Sequence, residues 1–249
     1  MIENLIKNCN WEHVQTDSPP ALQDNELHVW WSALTLSPSQ SELTLSLLSD
    51  FQRDKYNRRA TKQGKHNYLA GRYYLLQLLA AYTGQNVHEI QLTYNRLNKP
   101  SLSDSSLNLQ FNFTDTAGHG VFVFTKHQQI GVDIERIDRQ ANFEMIANKR
   151  FTEQERNFVY NNGEIDNQRC LAIWTRKEAF GKAAGVGINF QMNQRNLYNK
   201  HCLGEDFKFV DNGNAWTCLQ LALGDAFISS VVYEGHEKLN VRAFKPQER

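Results

Sequence analysis

The chain has no excess of charge of either sign: Lys and Arg together number 27, as do Asp and Glu. A protein whose main partner is duplex nucleic acid usually carries a basic excess, so a nucleic-acid partner is not expected. The four cysteines, Cys9, Cys170, Cys202 and Cys218, are scattered and form no CxxC pair. That spacing argues against disulfides and a zinc site, and fits a reducing compartment. No apolar run approaches the ~20 residues that span a bilayer. The opening MIENLIKNCNWEHV has no basic segment followed by an apolar core, so no secretory leader is expected. These absences predict a soluble, cytoplasmic protein with no membrane association. No Pro- or Ser-rich linker interrupts the chain, and no residue-level repeat is present.

What is present is ample material for a core. Hydrophobic residues make up 41% of 249 residues, with 14 Phe, 9 Tyr and 5 Trp, so a globular fold of one large or two small domains is expected and disorder is not. Residues 16–25 (TDSPPALQDN) are turn-rich, and HVWWSALTL after them reads as a strand. Around 50–83 the pattern turns helical: a basic stretch, RDKYNRRATKQGK, leads into HNYLAGRYYLLQLLAAY, and Thr83-Gly84 supplies a stop. LNKPSLSDSS reads as loop. LNLQFNF and HGVFVFTK read as strands about a turn at Thr114–Gly118, and QQIGVDIERI as a third strand. Thr152 is placed to cap a helix beginning EQERNFVY. A further helix, QRCLAIWTRKEAFGKAAG, ends at Gly185, and roughly 205–245 alternates as strands do. Each half thus runs strand, long helix, strands. The preferred fold class is α+β, with two similar lobes, 1–124 and 125–249, the second carrying the acidic motifs.

Two strings carry chemistry. GVDIE at 131–135 puts Asp133 and Glu135 on one face of a strand, with Val132 and Ile134 on the opposite, buried side. Two carboxylates that close repel unless a cation or a proton lies between them. Alone, a D-x-E on a half-exposed strand is more often a solvated edge. WTRKEAFGK at 174–182 places Trp174, Glu178 and Lys182 on one helical stripe, where an ordinary Glu–Lys pair is the competing reading. Together, three carboxylates and an ammonium are the parts needed to hold Mg²⁺ on a diphosphate, because Mg²⁺ takes hard oxygen ligands and substrate phosphates. Lys182 would neutralise remaining phosphate charge.

GVDIE, FTEQE and WTRKEAFGKAAGVGI in this order resemble the signature of 4′-phosphopantetheinyl transferases, specifically the large surfactin-synthetase-activating type. That pattern reads (V/I)-G-(I/V)-D-(I/V)-E and then W-x-x-K-E-(A/S)-x-x-K, and every polar position is matched. LAGR at 69–72, NKP at 98–100 and FNF at 111–113 add to the likeness, which covers roughly residues 50–190. The resemblance implies two lobes related by a pseudo-twofold axis, with the active site at their interface. It implies transfer of the 4′-phosphopantetheine arm of coenzyme A to a serine of an apo acyl carrier protein or peptidyl carrier domain, releasing 3′,5′-ADP. It further implies Asp133, Glu135 and Glu178 as Mg²⁺ ligands and Lys182 on the diphosphate. Arg72 and Lys99 would contact the coenzyme A nucleotide and phosphates, Asn112 and Thr114 would cradle phosphates, and the basic stretch near Lys62 would face the 3′-phosphate or solvent. Glu178 is the first choice for the serine's base and Glu155 the second, with a surface role for Glu155 as its alternative.

Two departures from the family pattern stand out. Where the family has Ser-His-Ser after Phe-Asn-x, this chain has Thr114-Asp115-Thr116, and a carboxylate there repels a diphosphate unless it turns away or reaches the metal. His119 is the nearest replacement donor. The aromatic pair often found before the tryptophan is Cys170-Leu171. Two rivals remain: a Mg²⁺-dependent phosphohydrolase or nuclease, which explains the carboxylates but not Lys182, and a catalytically impaired carrier-binding homologue. Two lobes within one chain predict a monomer.

Overall fold

A computed structural model describes residues 7–187, 191–198 and 206–247; Cys202 lies outside them. In chain order the strands and helices are β1 (Lys7–Asn8), β2 (Trp11–Val14), β3 (Glu26–Ala33), α1 (Pro38–Leu47), α2 (Asp50–Asn57), α3 (Lys62–Thr83), β4 (Leu92–Tyr94), β5 (Pro100–Leu102), β6 (Leu109–Thr116), β7 (His119–Lys126) and β8 (Ile130–Arg136). Then follow α4 (Phe143–Arg150), α5 (Glu153–Val159), β9 (Tyr160–Asn161), β10 (Glu164–Ile165), α6 (Asn167–Ala183), β11 (Phe207–Asp211), β12 (Asn214–Ala222), β13 (Phe227–Glu234) and β14 (Asn240–Pro246). The fold is mixed α and β.

Two five-stranded sheets organise it. The first runs β2-β14-β3-β7-β6; the second runs β1-β12-β13-β8, with β11 also on β12. The sheets exchange terminal strands: β14 lies between β2 and β3, parallel to both, while β1 pairs in parallel with β12 of the other sheet.

Strand periodicity places the core. Leu27, Val29, Val121 and Val123 of the first sheet pack with Ile130, Val132, Ile134, Leu219 and Val231 of the second, so the sheets meet face to face. The alternate residues of the first sheet, Trp30, Phe122 and Phe124, pack under Leu75, Leu78 and Leu79 of α3. In the second sheet, Trp216, Cys218 and Val232 pack under Ala179, Phe180 and Ala183 of α6. The result is four layers, helix–sheet–sheet–helix.

The long helices begin and end where their sequences dictate. Thr61 accepts from Gly64 N at the start of α3, and Gly84 ends it at φ +68°, a left-handed conformation that glycine adopts without a Cβ clash. Asp166 caps α6. Thr152 caps α5 as expected, in a reciprocal box with Glu155.

Several expectations are corrected. The turn after β6 is only Ala117-Gly118, both at positive φ, so Thr114-Asp115-Thr116 continues the strand. The basic stretch is split, α2 ending before a break at 58–61. Pro100–Leu102 is a short strand paired with β4 rather than loop, and α4 had no clear periodic signal.

Gly131 sets the distance between β8 and α6. A Cβ on it would lie 2.2 Å from Ala179 O and 2.3 Å from Ala183 N, both backbone atoms that cannot swing aside. Gly131→Ala should therefore cost about 3 kcal/mol, the upper end of what overpacking costs. Urea denaturation measures it; an unchanged midpoint would mean the strand and helix can part freely.

Candidate active site

With Val132 and Ile134 turned into the core, Gly131, Asp133 and Glu135 face α6. From the helix, Glu178 and Lys182 come to meet them, one turn apart. The i,i+4 pair between those two is not what forms. Lys182 Nζ instead reaches across to Asp133 Oδ1 at 2.7 Å, Val132 O at 2.9 Å and Thr114 Oγ1 at 3.0 Å. Thr114 donates onward to Asp133 Oδ1 at 3.4 Å. Asn112 Oδ1 accepts the Val132 amide at 3.0 Å, joining the edges of the two sheets. The site therefore lies on the seam where β6 meets β8.

Asp133 is not on a solvated edge: it is only 6% exposed, and Oδ2 is buried with no hydrogen-bond partner among the described residues. Desolvation raises its pKa against the pull of Lys182. Glu135 is also raised, by desolvation and then by the charge of Asp133; Arg139 and a hydrogen bond from Trp174 oppose the shift. Glu178 is pushed up to about 7, by desolvation first and then by Asp133, with Glu135 adding to it. Three mutually repelling carboxylates, one with an orphaned oxygen, form a hard-oxygen donor set that fits Mg²⁺. They are not drawn together as a finished cage: among the described residues no three His, Cys, Asp or Glu side chains are grouped so as to hold a metal ion. Asp133 is turned to Lys182, and Glu135 to Arg139.

The other expected residues divide. Arg72 of α3 lies over the rings of Tyr68 and Phe113, 5.3 Å from each, with Nε and Nη1 buried and lacking hydrogen-bond partners. Asp115 is close enough to feel Arg59, Arg72 and Lys182; desolvation raises its pKa although much of its surface is open. Thr114 thus adjoins Lys182, and Asp115 lies within electrostatic reach of both Lys182 and Arg72. Lys62 is exposed at the start of α3. Lys99 goes elsewhere: Nζ donates to Ala183 O at 3.0 Å and Gln129 Oε1 at 3.1 Å, tying the β4–β5 hairpin to the end of α6. Burial lowers its pKa to about 8. His119 packs beside Trp31 and Phe227, and its Nδ1 lies 3.2 Å from Ala117 O.

Glu155 requires correction. It is fully buried rather than a surface residue, and it pairs with Lys177 Nζ at 2.8 Å. Its oxygens also accept from the Thr152 and Leu197 amides, while Lys177 donates to Met192 O and Arg195 O. This network pins the 191–197 segment to α6, and it leaves Glu155 no access to a substrate proton. Lys177 and Arg139 went unnoticed in the sequence. The one sits inside a motif read for its neighbour Glu178; the other lies beyond the strand, where side-chain direction follows no simple period.

Residues 129–228 match the sequence profile of the 4′-phosphopantetheinyl transferase superfamily. That span contains Asp133, Glu135, Glu178 and Lys182, and leaves Arg72, Lys99, Asn112 and Thr114 outside it. The chain is 27% identical over 229 residues to the 4′-phosphopantetheinyl transferase HetI of Nostoc sp., covering 90% of this chain and 95% of that one. It is 30% identical over 151 residues to the putative 4′-phosphopantetheinyl transferase slr0495 of Synechocystis sp., covering 60% and 61%. The L-aminoadipate-semialdehyde dehydrogenase-phosphopantetheinyl transferase of Mus musculus is 25% identical over 177 residues, covering 66% of this chain and 57% of that one.

Glu178 gives the site a pH signature. Its carboxyl titrates at about 7 in the fold against 4.5 when unperturbed, so the folded chain holds that proton more tightly. The resulting stabilisation is complete below pH 4.5 and is lost as the pH rises through about 7. Glu178→Gln should therefore gain stability relative to the native chain over that rise, in metal-free buffer. Denaturation midpoints across the range check this; parallel curves would mark Glu178 as an ordinary exposed glutamate.

Proposed function

We propose that this chain, a member of the 4′-phosphopantetheinyl transferase superfamily through residues 129–228, works as the two-lobed, surfactin-synthetase-activating type. It transfers the 4′-phosphopantetheine arm of coenzyme A to a serine of an apo acyl carrier protein or peptidyl carrier domain, leaving 3′,5′-ADP. The observation that carries the reading is the meeting of Asp133, Glu135 and Glu178 with Lys182 at one seam. The lobes are 1–124 and 125–249, similar in layout and related by a pseudo-twofold axis. The pairing of α3 with one five-stranded sheet and α6 with the other supports this, the lobes having traded terminal strands.

Asp133, Glu135 and Glu178 would hold Mg²⁺, which supplies charge neutralisation at a pyrophosphate when bound. The remaining chemistry belongs to the chain. Lys182, already donating three hydrogen bonds at the seam, is placed to meet developing negative charge on a phosphoryl oxygen. Glu178, one helical turn from Lys182, is the first choice for the group that takes the serine proton. The unpartnered N–H groups of Arg72 suit a phosphate of coenzyme A. Thr114 and Asn112 line the same seam, while Lys99 and exposed Lys62 serve the outer part of the nucleotide. Asp115 faces Arg59 and Arg72 and so keeps them from binding anions at full strength. The protein acts as a cytoplasmic monomer; among the described residues no helix is long and apolar enough to cross a membrane.

Incubation with coenzyme A, Mg²⁺ and an apo carrier protein tests the function by the carrier's mass. A gain of one phosphopantetheine is expected. Carrier binding without modification would favour the impaired homologue, and phosphate release without transfer the phosphohydrolase. Asp133→Asn should abolish transfer in a folded protein, because it removes the buried charge that Lys182 faces. Lys182→Ala should slow transfer by roughly one to three orders of magnitude, the worth of a charge-assisted contact in a preorganised site. Wild-type turnover in either variant would remove that residue from the site.

Asp115→His exchanges the acid facing Arg72 for a hydrogen-bond donor. Coenzyme A should bind more tightly to it by calorimetry, with the gain shrinking at high salt because the position is partly open. Unchanged affinity would place the side chain outside the phosphate path.

A further inference from the structure

The Glu135 carboxylate is already engaged by the protein itself. Arg139, on the turn that follows β8, donates from Nη1 to Glu135 Oε1, and its guanidinium carbon lies 5.9 Å from the centre of the Trp174 ring. Trp174 also lies close enough to Glu135 to pull its pKa down, so one indole neighbours both partners. The turn is held independently: Arg136 pairs with Asp138, and the Arg139 amide donates to Arg136 O at 3.1 Å. The Arg139 charge reaches Glu178 as well.

Lys182 neutralises the opposite end of the cluster, at Asp133. The two cations are held unequally. Lys182 donates to three acceptors on two strands. Arg139 has one carboxylate and one ring face, and 34% of its side chain is open to water against 14% for Glu135. An ion pair with one partner about a third exposed is screened by water and worth little. A divalent cation at Glu135 repels the guanidinium and competes for the same oxygen.

We propose that Arg139 is an internal counter-ion that closes the Glu135 position, and that a divalent cation entering the carboxylate cluster displaces the guanidinium from both Glu135 and Trp174. The inference rests on the reading of Asp133, Glu135 and Glu178 as the cation's ligands. Arg139 is then a positioning residue: it keeps the cluster folded when metal is scarce, and it sets how much metal is needed to open it.

The test is Mn²⁺ titration, with and without coenzyme A, followed by calorimetry and by tryptophan fluorescence. The native chain should bind Mn²⁺ with a fluorescence change that Trp174→Phe removes. Arg139→Gln should bind Mn²⁺ roughly three- to tenfold more tightly, the size expected for losing one partly exposed competitor, and without that fluorescence change. Arg136→Gln makes the same charge change on the same turn, away from Glu135, and should alter affinity less than about twofold. Native or weaker affinity in Arg139→Gln, a gain no larger than that of Arg136→Gln, or a native response from Trp174 in Arg139→Gln overturns the inference and leaves the metal site standing. No Mn²⁺ binding by the native chain, or binding undiminished in Asp133→Asn, overturns the reading of the metal site instead.

Discussion

Everything at the candidate site depends on the direct contact of strand β8 with helix α6. Gly131 presents no side chain to the Ala179 carbonyl or the Ala183 amide, so strand and helix backbones touch. That closeness brings two side chains further along the strand and two from the helix to one seam. A larger residue at 131 would lift the helix and separate Asp133 from Lys182, whatever the quality of the remaining packing. The glycine in GVDIE is thus a spacer for the charged residues after it, and the small residues Ala179 and Ala183 are its counterpart on the helix.

The second constraint is electrostatic. Three carboxylates share a partly desolvated seam, an arrangement that costs stability unless something compensates. Compensation comes in three forms here: Lys182 against Asp133, Arg139 against Glu135, and a proton held by Glu178 up to about neutral pH. Each of these compensating groups keeps some access to water. The buried Glu155–Lys177 pair is of the other kind. Enclosed, with its oxygens and ammonium all bonded, it holds α5, α6 and the 191–197 segment in fixed relation.

Much of this was legible in the sequence because it follows short periods. Alternation in QQIGVDIERI put Asp133 and Glu135 on one face, the helical stripe put Glu178 and Lys182 one turn apart, and Thr152 and Gly84 marked helix ends. What periodicity cannot supply is which face meets which. Spacing alone leaves a pair with Glu178 as the rival reading of Lys182, and the fold brings Asp133 to it instead. Glu155 looked like a surface residue because no local pattern reveals that Lys177, 22 positions on, is buried against it. The bonds of Lys99 to the carbonyl that ends α6 and to Gln129 likewise follow no local period. The turn assigned to Thr114–Gly118 shrank to two residues because Ala117 accepts a positive φ that sequence alone would assign to Asn or Gly.

The exchange of strands β1 and β14 between the sheets ties assembly of the first sheet to a segment made long after the rest of it. Among the described residues strand β14 is the only sheet partner of β2 and stands between it and β3, so the first sheet lacks an inner strand until residues 240–246 have been made. On the ribosome, the early segments can form α3 and the β6–β7 hairpin, but β3 must wait with one edge bare. Contacts of such long sequence separation are slow to close, and a bare strand edge invites pairing with other chains meanwhile. The arrangement that knits the two sheets into one body therefore also makes the nascent protein dependent on protection of that edge until β14 is made.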